Sequence, residues 1–313
     1  ERSYFIERGK SFANILRFKQ TIFENSFIGA IVTDRRYDDG SGTVLSVDGT
    51  LQFLENYLFK FQIASSFTHE ANDTNLTANI EDVRFDDNKH TATFDGESFW
   101  GRAINAKFER DARFWNFDLE YEEISPNFRA DNGYLSRNNI REVEASTGLS
   151  FYPDSKYLDI IIPEIEIARI WNFDGIRKDE WISPNLYIQF KAQTNINLWY
   201  LWSRERFSSV DFPGIKRGGI SFNSNYFESC GFYFSIESGR MIARNMTNPI
   251  LGKGNNANVG VSLKLLRRFF IDASYTFSDL ENPDTDEIIF STYVLRSKFT
   301  YQFTRELFCR LIV

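Results

Sequence analysis

Leu45-Ser46-Val47-Asp48-Gly49-Thr50-Leu51-Gln52-Phe53, then Leu54-Glu55-Asn56, then Tyr57-Leu58-Phe59-Lys60-Phe61-Gln62-Ile63 is the stretch that decides the fold. Leu45, Val47, Leu51 and Phe53 share one parity, and Ser46, Asp48, Thr50 and Gln52 share the other. Successive side chains of a strand point to opposite faces, so this period of two writes an extended segment with one apolar and one polar side. Glu55-Asn56 reverses the chain, and Tyr57, Phe59, Phe61 and Ile63 resume the apolar parity against Lys60 and Gln62. The pattern describes a hairpin with grease on one face and water on the other.

Working outward, the same alternation recurs at residues 14–23, 26–36, 43–54, 57–68, 97–110, 113–123, 141–152, 158–173, 182–193, 196–205, 217–227, 230–239, 257–266, 269–278, 288–303 and 306–313. Residues 74–94 read either as an extra hairpin or as loop decoration. Expected tight connections fall at Glu24-Asn25, Glu55-Asn56, Asp111-Ala112, Pro153 to Tyr157, Thr194-Asn195, Glu228-Ser229, Arg267-Arg268 and Thr304-Arg305. Between them lie longer polar connections at 69–96, 124–140, 206–216, 240–256 and 279–287, rich in Asn, Asp, Gly and Pro. Short turns alternating with long loops are the rhythm of an outer-membrane barrel, with the short turns on the periplasmic side.

The expected fold is therefore all-β: a transmembrane antiparallel up-and-down β-barrel, one domain over residues 1–313, with about sixteen strands in this chain. Under the turn rule the first strand runs toward the periplasm, which is the wrong parity for a barrel that begins inside. An additional strand is thus expected before residue 14 and another after Val313, giving about eighteen or more in the intact barrel. Glu1 opens without an initiator Met and the alternation runs up to Val313, so a leader and flanking segments are expected as well. A soluble β-sandwich is the structural alternative.

Composition bounds the function. The chain is 17% aromatic with 32 Phe, yet its mean hydropathy is only -0.37, because half of every barrel strand faces water. The longest apolar stretch, Leu158 to Ile162, is interrupted by Asp159 and followed by Pro163, so helical spans are excluded. A net charge of -7 with scattered cations argues against a nucleic-acid partner. Two Cys, Cys230 and Cys309, make neither a disulfide framework nor a zinc site, and His69 and His90 are the only histidines. No metal or cofactor is expected; calcium at Asp38-Asp39-Gly40, Asp86-Asp87-Asn88 or Asp284 to Glu287 is weighed against ordinary solvated loops. The six Trp, at 100, 115, 171, 181, 199 and 202, read as an interfacial girdle, with a sugar-stacking platform as the competing idea.

Carboxylates gather at polar positions: Asp118, Glu120 and Glu122 on one strand, Glu142 and Glu144 on the next, Glu164 and Glu166 on the one after. They are candidate lumen-lining residues. A paired-carboxylate hydrolase is one reading of them, and a wet interior whose charges are neutralised by Arg102, Lys107, Arg141 and Lys191 is the plainer one. No G-x-S-x-G elbow or phosphate-cradling Gly loop is present, and no catalytic residue is assigned.

The segment Tyr121-Glu122-Glu123-Ile124-Ser125-Pro126-Asn127-Phe128-Arg129-Ala130-Asp131-Asn132-Gly133-Tyr134 combines Pro126 and Gly133 at the ends of a tight excursion. Arg129 and Asp131 are expected to pair across it while Phe128 tucks under the rim, making a loop lock or a ligand-contacting loop. Together with Glu24-Asn25-Ser26-Phe27-Ile28-Gly29-Ala30-Ile31-Val32-Thr33, Val47-Asp48-Gly49 and Tyr301-Gln302-Phe303-Thr304-Arg305-Glu306-Leu307, the segment resembles an uncharacterised barrel domain of Bacteroidota outer-membrane proteins. In that family the barrel follows a carbohydrate-binding family-9-like domain. The resemblance implies a leading β-sandwich, further strands, and location in a bacterial outer membrane; it carries no catalytic residues. The functional expectation is a binding or transport component, with glycan as a cargo class and outer-membrane lipid and other envelope proteins as partners. A structural or assembly subunit and an outer-membrane hydrolase are the alternatives.

Overall fold

The computed structural model describes residues 10–80 and 83–313. Its long strands are β1 (Phe12–Phe23), β2 (Ser26–Tyr37), β3 (Gly40–Phe53), β4 (Tyr57–His69), β7 (Ser98–Arg110), β8 (Trp115–Ile124), β9 (Ile140–Leu149) and β10 (Leu158–Trp171). They continue with β11 (Arg177–Phe190), β12 (Thr194–Phe207), β13 (Val210–Phe227), β14 (Cys230–Ile242), β15 (Leu251–Leu266), β16 (Phe269–Glu281), β17 (Ile288–Gln302) and β18 (Phe308–Ile312). These form one 16-stranded sheet in strict chain order, β1 to β18, so each strand pairs with its sequence neighbours in up-and-down fashion. The strand expected before residue 14 lies outside the described residues.

Residues 74–94 resolve the choice left open by the sequence. A 3-10 segment (Thr74–Ile80) precedes a miniature hairpin of β5 (Arg84–Phe85) and β6 (His90–Thr91), which pair with each other and not with the large sheet. Its reversal uses Asp86, Asp87 and Asn88, all at positive φ (52, 55 and 64°), a conformation that short polar side chains tolerate.

Two expected connections are displaced, and a third, the loop expected at 240–256, is shortened to 243–250 because 251–256 pair with β14. The long polar loop at 206–216 is instead a two-residue reversal at Ser208-Ser209, with φ of 48° and 65°, flanked by paired strand. The cause is apolar: Phe212, Ile215 and Ile242 bury together with Phe207 and Leu251 against them, drawing this polar-looking stretch into the sheet. Likewise the turn expected at Thr194-Asn195 sits at 191–193, where Ala192 and Gln193 adopt positive φ and Thr194 already pairs with Phe190.

The chain forms two compact units. The first comprises Glu1–Ala112, Phe117–Ala145 and Ala168–Lys178, and the second Arg113–Asn116, Ser146–Ile167 and Asp179–Val313. In the first, cross-strand partners fix the two faces. Phe18, Ala30, Val47, Ile63 and Ile104 lie in one row, and Lys19, Gly29, Asp48, Gln62 and Asn105 in the next. Val47 and Ile63 are exposed to 41% and 55% although both sit mid-strand, so the apolar face is bare of protein cover. In the second unit Leu198, Ile220, Ile236, Ala257, Phe277 and Tyr293 form the equivalent row. A sheet whose bare face is apolar needs a hydrocarbon solvent.

Ile63→Lys therefore places a charge in the middle of the bare face, whereas Gln62→Lys places one on the polar side. In bilayer refolding titrations Ile63→Lys is expected to cost about 2–4 kcal/mol and Gln62→Lys less than about 1 kcal/mol. Equal costs would sink the assignment of faces.

Candidate functional site

The site is built on the polar face of the first unit, where the connection 125–139 folds back over β3, β4 and β7. Three small residues make room for it. Ser66 and Gly101 are direct cross-strand partners, and Gly42 lies one pair further along, opposite Thr68. A Cβ at Gly101 would overlap the backbone of Phe128, and one at Gly42 would overlap the Asp131 carboxylate. Only the missing side chains let the loop backbone lie on the wall.

Hydrogen bonds fasten it there. Ser125 N donates to Arg102 O at 2.9 Å, and Arg102 N donates to Ser125 Oγ at 2.9 Å. Arg129 N donates to Ser66 Oγ at 3.2 Å, and Asn138 Nδ2 donates to Pro126 O at 2.9 Å. Asn127 Nδ2 reaches Asp86 Oδ2 at 3.0 Å, tying the loop to the miniature hairpin.

Phe128 is buried, as expected for a residue tucked under the rim. Arg129 and Asp131 behave differently from the pairing the sequence suggested. Arg129 Nη1 donates to the carbonyls of Pro126 (2.8 Å) and Phe128 (3.0 Å), and its guanidinium lies 5.2 Å from the ring centroids of both Phe85 and Phe99. Asp131 instead faces Gly42, with its backbone carbonyl accepting from Arg35 Nη1 at 3.0 Å. The two side chains sense each other's charge without a direct hydrogen bond. Geometry explains this: two residues apart in a tight turn, they project toward different parts of the wall. Gly133 closes the turn, its N donating to Ala130 O at 2.9 Å.

Glu70 completes the cluster, although no motif singles it out. It follows β4 directly and is 6% exposed. Burial pushes its carboxyl up to about 7, Arg129 acts in the opposite direction, and Asp95, Glu97 and Asp131 add to the rise. Burial also raises Asp131 and lowers Arg129. Around them Thr68 Oγ1, Glu70 Oε2, Asn127 Oδ1, Asp131 Oδ2 and Asn132 Nδ2 are shut from solvent with no hydrogen-bond partner in the protein. The pattern that points to this patch is the run of small residues at polar-face positions, Gly42, Ser66 and Gly101, where a wall would ordinarily carry larger side chains.

The carboxylate rows are placed as follows. Asp118, Glu120 and Glu122 alternate along the polar face of β8, opposite Glu109, Lys107 and Asn105. Asp118 pairs with Lys107 Nζ at 3.0 Å, and Glu120 accepts from Asn105 Nδ2 at 2.7 Å. Glu142 on β9 feels the charges of Glu122, Glu144 and Glu120, so these four glutamates form one electronegative strip in the first unit. Glu164 and Glu166 belong to the second unit, where Glu166 accepts a hydrogen bond from Trp181 Nε1. Of the tryptophans, Trp100, Trp115 and Trp202 are exposed, while Trp199 packs against Gly219. Among the described residues no group of three or more His, Cys, Asp or Glu could hold a metal ion. His90 Nδ1 lies 2.9 Å from Glu97 Oε2, and both Cys are free.

No family model matches the chain, and no curated protein matches it. Solved structures do. A variant of the ferric enterobactin receptor PfeA from Pseudomonas aeruginosa aligns with TM-score 0.51 and 8% identity over 94% of this chain and 57% of that one. The siderophore receptor PirA from Acinetobacter baumannii aligns with TM-score 0.49 and 8% identity over 98% of this chain and 65% of that one. The copper transporter OprC gives 0.49 and 11% over 94% and 58%. This chain spans less than two thirds of each of these structures. At such identities the PfeA likeness shows fold alone, and that fold, with the bare apolar face and chain-order strands, is the transmembrane up-and-down β-barrel of outer-membrane proteins.

Gly101→Ala forces its new methyl into the backbone of Phe128, so the loop must lift, at an expected cost of about 1–3 kcal/mol. Faster proteolytic nicking within 125–139 reads this out. Gly148→Ala, whose Cβ meets nothing closer than 3.5 Å, serves as the control and should nick like the parent.

Glu70 supplies a pH test. Its folded value near 7 lies above the ordinary glutamate range of about 4.3, so the folded site binds the proton more tightly. Its contribution favours the folded loop below about pH 4.3 and is lost as pH rises through 7, a swing of at most about 4 kcal/mol. Hydrogen exchange over 125–133, corrected for intrinsic rates, should show less protection at pH 8 than at pH 5.5, and Glu70→Gln should erase the difference.

Proposed function

We propose that the protein is a binding or transport component of a bacterial outer membrane, with the polar face as the solute side and the 125–139 connection as its binding element. The observation that carries this reading is the set of buried polar atoms beneath the loop, Thr68 Oγ1, Glu70 Oε2, Asn127 Oδ1, Asp131 Oδ2 and Asn132 Nδ2, which no protein group satisfies. Each such atom costs about 1–3 kcal/mol when shut away, so lifting the loop toward a hydrogen-bonding guest is favoured at this point of the wall. Elsewhere the polar face is laced with ion pairs, including Lys60–Glu109 at 2.7 Å and Lys107–Asp118 at 3.0 Å, a surface suited to water and hydrophilic solutes. PfeA, of the same fold, is a receptor, which provides precedent for the class without transferring its ligand.

Glycan is the cargo class we favour within that role. Four of the five atoms can accept, which suits a guest rich in hydroxyl donors. The resemblance to a Bacteroidota barrel domain that follows a carbohydrate-binding-like domain supports the same choice.

Reconstitution of the full protein in planar bilayers tests the role. Stepwise conductance is expected, Gly101→Ala should raise it by lifting the loop, and added oligosaccharide should reduce it more strongly in that variant. Silent membranes for both proteins would refute transport, and indifference to a broad oligosaccharide panel would remove glycan as the cargo.

A further inference from the structure

The bare apolar face of the first unit carries, at the end of β8, a cluster that hydrocarbon does not explain. Arg102 belongs to the row of Ser65, and Trp100 to that of Phe67, on the same face as Ile63 and Ile104. Glu123 is the direct partner of Ile104, so it too points to this side. Arg102 Nε donates to Glu123 Oε1 at 2.7 Å, while Arg141 Nε (3.0 Å) and Tyr121 Oη (2.8 Å) donate to Glu123 Oε2. The cluster lies beside the long connection: Glu123 is the penultimate residue of β8, and Arg141 is the second of β9. In barrels of this class that end faces the outer leaflet.

Two features set the cluster apart from a closed ion pair. Both arginines hold the carboxylate through Nε, which leaves the paired Nη groups of each fork available, and two guanidiniums against one carboxylate leave a surplus positive charge. Glu123 is 6% exposed, but the Arg102 side chain is 58% exposed. Phe173 backs Arg141, its ring centroid 4.0 Å from the guanidinium carbon and 5.7 Å from that of Arg102. Trp100, 66% exposed and tilted against Phe67 with ring centroids 4.8 Å apart, stands two residues from Arg102 as an interfacial aromatic. One exposed guanidinium fork, that of Arg102, beside a half-buried one, that of Arg141 at 28% exposure, at headgroup level above an apolar wall, matches a phosphate joined to acyl chains.

We infer that Arg102 and Arg141 bind the phosphate of an outer-leaflet lipid headgroup, with Glu123, Tyr121 and Phe173 positioning the two forks. The occupant is a phosphorylated glycolipid whose chains lie along the same apolar face toward the far strand ends, past Ile104, Phe108 and Leu119. A free anion gains only the forks, whereas the lipid gains the apolar wall as well. This inference rests on the outer-membrane reading above.

Native mass spectrometry of the full protein, extracted into detergent, tests it with diphosphoryl lipid A and its dephosphorylated form as probes. The parent should retain the phosphorylated lipid and lose roughly a hundredfold in affinity when both arginines become Gln, since each charged hydrogen bond contributes about one tenfold step or better. Arg102→Lys with Arg141→Lys keeps the charge without the forks and should fall between. Glu123→Gln replaces one of the two accepting oxygens by a donor, releases at least one fork and should weaken retention of the phosphorylated lipid while leaving that of the dephosphorylated form unchanged, a selectivity that a purely structural cluster would not show. Equal retention of the two lipids, unchanged binding by the double Gln variant, or displacement by inorganic phosphate at concentrations comparable to the lipid would each overturn the inference. Gel-shift on heating confirms that every variant is folded. Recovery of the protein in the soluble fraction after carbonate washing would instead count against the outer-membrane reading, a separate outcome.

Discussion

Everything in this chain follows from the need to pair every backbone N–H and C=O where the solvent offers none. In hydrocarbon an unpaired peptide group costs several kcal/mol, so a segment that shows grease to lipid must find both its partners within the sheet. Strict neighbour pairing from β1 to β18 meets that demand with the shortest connections. Side chains then have no freedom of face: one parity meets lipid, the other water. The chemistry of the molecule is confined to places where this rule loosens, namely the polar face and the ends of the strands.

The two sites use that loosening differently. On the polar face a loop lies on the wall because Gly42, Ser66 and Gly101 present almost no side chain. It carries Arg129 into an aromatic bracket of Phe85 and Phe99 and leaves several polar atoms unsatisfied. On the apolar face, near the same end of the strands, Glu123 gathers two arginines and a tyrosine. Arg102 belongs to both: its backbone clips Ser125 while its side chain reaches Glu123.

Strand existence and facing were legible in the sequence because period-two alternation survives in nearly every segment, Leu45 to Ile63 being the plainest. Turns were legible where polar residues cluster, as at Glu24-Asn25. They were misplaced at 206–216, where a polar look hid Phe212 and Ile215, whose burial with the distant Ile242 extends the sheet. The loop motif was visible as a motif, and the burial of Phe128 followed from it. The fate of Arg129 was not visible, because its bracket comes from Phe85 and Phe99, well upstream in the chain. Glu70 escaped for the same reason: burial is the main cause of its raised carboxyl, and the charges that modulate it, at 95, 97, 129 and 131, lie far along the chain. The alternating carboxylates were seen, but not the division that places Glu164 and Glu166 apart from the other five.

The miniature hairpin of β5 and β6 bears on the order in which the sheet assembles. Nearly every pairing joins strands separated by a modest connection, so hairpins can zip locally along the chain; the exception is β4 with β7, which must close the connection 70–97. That connection is about twice the length of 125–139, an extra closure entropy of roughly 0.6 kcal/mol. A 3-10 segment and a self-paired hairpin within it shorten the effective span before β7 arrives. The seam between β4 and β7 is thus where a growing sheet would pause, and the small folded insert is what lets it continue.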